Sequence, residues 1–597
     1  GNKDFASTAT TIVKFDSVAP IINYSATMLP IIAVKSDGSV SPTPTVSATI
    51  TKSALGAPIA TAHLEYKRAS EPSFMSSIFP LTSLPTIETT IPPGYFVTAG
   101  NANGVDYRIS VVDSAGNSAR TPAYSAAVQN DVTSEADPRS LPAATSFSAA
   151  EQVKAYRIFS VPYDLDDKRP SSFMENSLGD HRLDGDDYGR WRMQQYVGGQ
   201  KIDYEFFKSQ NIVSLGKGFF LIVRDANMHV AVGRGMLAQT ANLSGTGIDV
   251  ASGWNLLGNP FTFNVPFDSI TAVGLGTIQD RVYYTGSGPI SGWVRPSSGD
   301  VIEPWSGVAV RMSQAGTLRF RMMPSTGTVE APPPAAGRVM PKTLVRGASE
   351  EGWQIGVDAF RRDNGIQCLE NGFGMAMGSE NGYDALDLFQ PPFVGDRNVA
   401  VTFDDDEPGL MRDIRSVNEE GSVWSMHVHT GDKGAALRLS FVEAEAALPA
   451  EWDGYVVDMD LRTAHPLRSL KTLDINSGNG LRSFRIVVGK PDFVAMNSGG
   501  VDLIPRENAL EQNYPNPFNP ETNFGFRISD FGFIRLSVYD LLGREVAVLA
   551  EGVYQPGYYQ ARFDGRMFSS GMYVCVMRVA VDGKQTFTQT RRMLLLK

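Results

Sequence analysis

Cysteine is nearly absent from this chain. Only Cys368 and Cys575 occur in 597 residues, so a disulfide framework is excluded as the main source of stability, and each thiol reads as a small buried hydrophobe. Histidine is scarce as well, with six in all. No His-Glu-x-x-His, Gly-x-Ser-x-Gly or Gly-x-x-x-x-Gly-Lys pattern is present, which removes the signatures of zinc proteases, serine hydrolases and phosphate-loop enzymes. A dispersed carboxylate pair for glycoside hydrolysis stays open, because fold and not spacing sets it. No apolar run reaches the about 18 residues that a membrane-spanning helix needs. Nor do Lys and Arg cluster: the net charge of -11 is spread along the chain, which aids solubility and speaks against nucleic acid as a partner.

What is present points to sheet. Hydrophobic residues make up 42% and charged ones 20%, an ordinary globular balance, while 57 glycines, 36 prolines and 10% aromatics accompany few long helical periodicities. The expected class is all-β, a series of β-sandwich domains, and the length suits about four units. Residues 1–15 read as a tail or the end of a preceding unit, 16–130 as an immunoglobulin-like or fibronectin-like sandwich, and 131–150 as a linker rich in Ser, Ala, Asp and Pro. Residues 151–325 form a β-rich module with Gly253-Trp-Asn and Gly258-Asn-Pro-Phe261 motifs. A proline-rich linker at 326–350, a β-sandwich at 351–495 for which a jelly-roll is one form, a linker at 496–512 and a closing sandwich at 513–597 complete the chain.

In the first module, alternation predicts strands at 46–50, 62–66, 86–91 and 107–112. The stretch from Gly104 to Ser118 resembles the last hairpin of bacterial immunoglobulin-like or fibronectin type III modules, with Asp113 expected to cap the turn around Gly116 and calcium at an interdomain joint as its alternative. Trp191, Trp254 and Trp305 are expected in the second module's core. That module also carries Gly179-Asp-His-Arg-Leu-Asp-Gly-Asp-Asp-Tyr-Gly189. Asp184, Asp186 and Asp187 are its calcium candidates, set against a solvated acidic loop. An EF-hand is excluded, because Tyr188 and Gln195 stand where ligands are needed. In the third module His427 and His429 share a strand face, with no third ligand fixed by spacing, and 404–407 reads as a solvated acidic turn. No catalytic residue and no cofactor other than this candidate calcium is expected.

The end of the chain is the most specific part. Pro515, Pro517 and Pro520 fix φ and remove donors, so 511–521 is an extended lead-in. Phe524, Phe526 and Ile528, then Ile534, Leu536 and Val538, alternate as half-buried strands, and Gly543, Asp564-Gly565 and Asp582-Gly583 mark turns. Six or seven short strands in this span make a small sandwich. Tyr514-Pro-Asn-Pro-Phe-Asn-Pro520, Val538-Tyr-Asp-Leu-Leu-Gly-Arg-Glu-Val546, Ser570-Gly-Met-Tyr573 and Arg592-Met-Leu-Leu-Leu-Lys597 resemble the type A C-terminal sorting domain of the Por, or type IX, secretion system. Phe563, where that family usually has Trp, and Cys575, where an aromatic is commoner, depart from the pattern without changing which positions are buried.

The resemblance implies roles in sorting for Tyr514, Pro515, Asn516, Pro517, Phe518, Asn519, Pro520, Gly543, Arg544, Gly571 and Lys597. It also implies the secretion machinery at the outer membrane as partner, and an extracellular or cell-surface location on a Gram-negative bacterium. Such domains are commonly removed after export. Gly1 is expected to begin a mature fragment or a piece of a longer precursor, since an exported chain carries a signal upstream. The function expected is that of a non-catalytic structural or adhesive surface protein, with a surface assembly or extracellular matrix as a further partner. Two alternatives stand beside it: the accessory region of a secreted hydrolase, a protease foremost, whose catalytic domain precedes Gly1, and a carbohydrate-binding surface protein. A stalk of separate cores implies small polar interfaces between modules and proteolytic cuts near 131–150, 325–345 and 495–512.

Overall fold

Side chains that alternate at period two bury one face only when strands pair, and pairing dominates here: the chain is 54% strand and 6% helix. The computed structural model describes residues 17–25, 29–35, 37–52, 56–98, 101–130, 156–179, 191–198, 200–223, 230–240, 247–288, 291–297, 299–320, 347–349, 352–363, 365–384, 386–394, 398–403, 409–431 and 433–597. The expected linker 131–150, most of 326–350, and the acidic turn 404–407 lie outside these residues. The chain divides into two compact units: residues 1–288, 292–337 and 391–395, and residues 289–291, 338–390 and 396–597.

The first unit begins with an immunoglobulin-like sandwich. Ile21–Asn23, Thr45–Thr51 and Thr86–Thr90 form one sheet, and Ser118–Arg120, Val105–Asp113, Ile59–Arg68 and Met75–Ile78 the main path of the other. All four strands predicted by alternation are found, and Val105, Tyr107, Ile109 and Val111 point into the core. Asp113 caps its turn as expected: its carboxylate accepts from the N–H groups of Ala115 and Asn117 and from the Asn117 amide. Gly116 takes the positive φ of +89° that the turn requires.

The second module is built on a sheet in the order Arg157–Ser160, Gly218–Val223, Trp191–Val197, Gly253–Gly258, Gly307–Met312, Ile278–Gly288, Gly292–Val294. Trp191 and Trp254 are buried in it, while Trp305 is half-buried between Phe159 and Tyr163. The Gly-Asn-Pro-Phe motif is structural. A Cβ on Gly258 would come within 2.1 Å of Ser160 Cβ. The buried Asn259 donates to the carbonyls of Phe263 and Ile302 and accepts from the N–H of Phe261, so one amide closes three backbone groups in the interior. Asn255 does the same for Ala251 and Gly253.

The interface expected to be small and polar is neither. A single sheet runs Tyr163–Leu165, Gly235–Leu237, Val128–Asn130, Ile32–Val34, Val40–Ser41, so strands of both modules share one ladder. One apolar cluster extends from Leu29 to Leu237. Pairing removes open sheet edges on both modules, and the apolar side chains beneath follow.

In the second unit, ten strands between residues 352 and 489 follow each other in one sheet: Thr463–Pro466, Asp453–Asp458, Leu481–Gly489, Gly421–Thr430, Val399–Phe403, Leu410–Ser416, Gly372–Ala376, Gly352–Arg361, Ala436–Val442, Thr472–Asn476. Trp424 and Trp353 stand four strands apart in that order, about 19 Å in a flat sheet at ordinary strand spacing. Their rings lie 5.8 Å apart, so the sheet curls over itself, closing on Trp353, Phe373, Phe403 and Trp424. The unit ends in the seven-stranded sandwich of residues 509–597.

Candidate functional site

The closing sandwich sets Ala509–Leu510, Glu521–Ile528 and Gly557–Asp564 against Glu545–Tyr554, Gly532–Tyr539, Gly571–Val581 and Lys584–Leu595. Phe518, Phe524, Phe526, Phe563, Ile534, Leu536, Val538, Cys575 and Met577 fill the space between the sheets. Each large apolar side chain removed from water contributes roughly 1.5–3 kcal/mol, against about 0–1 kcal/mol for an exposed ion pair, so this interior holds the domain.

Strand register then decides where the signature residues fall. Glu521 pairs with Asp564, Tyr539 with both Glu545 and Val574, and Gly571 with Leu595. The lead-in 514–520, the turn 540–544, the loop 565–570 and the last residues therefore gather at one end, although more than 80 residues separate the first from the last. At the opposite end lie the turns at 529–531, 555–556 and 582–583.

Hydrogen bonds weld the lead-in to the chain's last strand. Phe518 donates its N–H to the Leu594 carbonyl at 2.9 Å and accepts from Leu596 at 3.0 Å. Asn516 Oδ1 accepts from the Leu594 N–H, and its amide donates to the Arg592 carbonyl. Asn513 donates to the Pro515 carbonyl and to Thr522 Oγ1. Lys597 closes the end: its N–H donates to Ser570 Oγ and its Nζ to the Arg566 carbonyl. Gly543 sits at φ +80°, and the N–H and guanidinium of Arg544 hold Asp540 below the usual carboxylate range. Gly571 sits at φ +153° where the loop turns into its strand. Phe518 is buried, whereas Tyr514, Leu541, Leu542, Met567, Met572 and Leu596 at this same end are exposed, Leu542 at 79% and Met567 at 90%. An array of this kind can dock a protein surface.

The other candidates divide. Asp184, Asp186 and Asp187 lie outside the described residues. His427 and His429 do face each other at 6.2 Å, bonded to Ser483 and Thr402, and among the described residues no third ligand joins them. A hollow of about 430 Å³ opens on the outer face of the first sandwich, lined by His63, Glu65, Phe74, Arg108 and Ser110. There burial opposes the Glu65 charge, but Arg108 and Ser110 outweigh it and leave the carboxyl below its ordinary value. Arg108 also stacks over Phe74 at 4.1 Å, so these residues satisfy one another. Asp387 is a buried carboxylate pushed up to about 7 by desolvation. Sequence reasoning missed this burial, since it leaves no periodic signal.

The fold defines a multi-domain, all-β chain that closes on a sandwich with an apolar, backbone-tied end. It matches no family profile, and no curated protein matches it. Solved structures similar to it include a tetra-tandem repeat from the extending region of a large adhesion protein, at 8% identity over 95% of this chain and 99% of that one, TM-score 0.14. Dimeric latent PorU from Porphyromonas gingivalis matches at 9% identity over 97% of this chain and 34% of that one, TM-score 0.14. A Ca²⁺-stabilized adhesin with which an Antarctic bacterium binds ice matches at 8% identity over 97% and 99%, TM-score 0.13. Likeness at this level carries no argument about function.

Proposed function

We propose that this chain is an exported surface protein whose closing sandwich is a type A sorting domain of the type IX secretion system, and whose upstream modules act as a structural or adhesive stalk. One observation carries the reading: signature residues dispersed from Tyr514 to Lys597 converge on a single end of the sandwich, beside exposed Leu541, Leu542 and Met567. The outer-membrane machinery is the partner that this end meets, by apolar contact around a rigid frame. The stalk reading draws on the serial sandwiches, while the core shared by the first two modules replaces the separate beads expected there with one stiffer piece.

Export by a type IX-competent bacterium tests it. A chain carrying Leu541→Lys and Leu542→Lys is expected to remain in the periplasm while the intact chain reaches the surface. The two side chains are solvent-exposed, so the fold survives the change. Equal surface amounts of both chains would overturn the reading.

A further inference from the structure

Within the segment 496–512, read from sequence as a linker, residues 497–503 and 507–510 are held by the modules on either side. The Asn497 carbonyl accepts from Arg485 Nε at 2.7 Å, and the Gly500 carbonyl from Arg462 Nη2 at 2.6 Å. Val501 is buried with Val457, Ala464, Val487 and Val494 of the third module, and Leu503 packs against the same cluster. From the other side, Glu507 pairs with Arg527 at 2.6 Å, Asn508 accepts from the Ser529 N–H, and Leu510 is fully buried in the closing sandwich. Leu510 also donates its N–H to Gln589 and accepts from Arg591 Nε.

Two further contacts join the closing sandwich to the third module directly. Tyr558, on the sandwich strand Gly557–Asp564, packs on the Val457, Val487 and Val494 cluster, with its ring 6.4 Å from His465. Its hydroxyl donates to the Asp502 carbonyl at 3.1 Å, so the same residue that docks the sandwich also grips the segment. Glu521, the residue after the proline lead-in, binds Arg562 and Arg566 of its own domain and Arg362 of the third module, the last at 3.0 Å. Arg362 lies 3.9 Å from Asp474, which pairs with Arg438.

We propose that this docking shields 497–512 from proteolysis, so that the closing sandwich can be released only after Tyr558 and Glu521 let go of the third module. The proposal rests on reading that sandwich as a removable sorting domain. A protease binds its substrate as an extended strand over several residues, and here the residues on either side of Arg506 are committed, 497–503 to the third module and 507–510 to the closing sandwich. Cleavage therefore follows the population of the undocked state and not the exposure of any one side chain.

Arg506 makes the proposal testable. It is the only Lys or Arg between 497 and 512, and its side chain is 83% exposed. By exposure alone it is an open trypsin site. The full chain is incubated with trypsin under native conditions, and release of the fragment 507–597 is followed by intact mass. The comparison is with Tyr558→Ser combined with Arg362→Ala, which leaves the Arg506–Glu507 bond unchanged. Release from the variant is expected to be faster by about tenfold or more. Equal rates, or prompt cleavage of the unaltered chain, would overturn the proposal.

Hydrogen exchange in Leu481–Gly489 and Gly571–Val581 checks that both modules of the variant stay folded. Should it unfold, Arg362→Glu alone repels Arg362's carboxylate partners from the surface and takes its place. The sorting reading fails separately: export of a chain that ends at residue 507 would remove it and leave the trypsin result standing.

Discussion

Asp387 shows what a single residue can hide. It is 1% exposed, and its carboxylate accepts from the N–H groups of Ile414 and Asp384, both at 2.8 Å. Desolvation raises it, those two bonds work against the rise, and the charges of Asp384 and Asp413 add to it, leaving it at about 7. A folded value above the unfolded one means that stability from this group is full below about pH 4 and is lost as pH rises to about 7. His429, lowered to about 4 by burial and by His427, has the opposite sign, as does His465, lowered to about 4 by burial. Their stability is full above about 6.5 and is lost as pH falls towards 4. The windows overlap, so a wild-type melting curve mixes them. Asp387→Asn separates them: its melting temperature relative to wild type is expected to climb between pH 4 and 7. A difference that stays level across that range would show that Asp387 is ionised in both states.

At the scale of elements, local pattern and long-range pairing part company. Phe524, Phe526 and Ile528 announce their strand by alternation, and the structure places all three inward. The prolines at 515, 517 and 520 announce an extended lead-in, but the structure bends the chain at 515–517 and 519–520 and leaves only Tyr514 and Phe518 in isolated bridges, to Asn523 and Leu595. Nothing in the spacing says that this lead-in lies against the final strand, because period two reports which face is buried and not which strand is the neighbour. The curled sheet between 352 and 489 was illegible for the same reason: its parallel pairing of Gly372–Ala376 with Leu410–Ser416 joins residues about forty apart. The lead-in is more than decoration. Phe518 is 1% exposed and meets Phe563 at 5.8 Å, so Phe518→Ala is expected to cost about 3–5 kcal/mol. Denaturant unfolding of the closing sandwich, followed by exchange of its amides, measures that loss. A cost below about 1 kcal/mol would mean the lead-in is not part of the core.

At the scale of the molecule, composition made the class legible and left the joints hidden. Low cysteine content, turn residues and short alternating runs sufficed for all-β. That strands near 33, 129, 164 and 236 complete one sheet was beyond them, since short strands at a junction have too few residues to show a pattern. The shared core predicts shared unfolding. Amides of Val105–Asp113 and of Gly218–Val223 are expected to lose protection along one common isotherm as denaturant is added. Two separate isotherms would show that the modules unfold independently in spite of their common cluster.

The pairing of Ile32–Val34 with Val128–Asn130 is parallel and in register, Ile32 opposite Val128 and Val34 opposite Asn130. Tension along the chain pulls the earlier strand towards its start and the later one towards its end. Two parallel neighbours drawn this way slide past each other, so their hydrogen bonds carry the load together and do not open in turn like a zip. The first sandwich is thereby built as a mechanical clamp against a pull applied at its two ends.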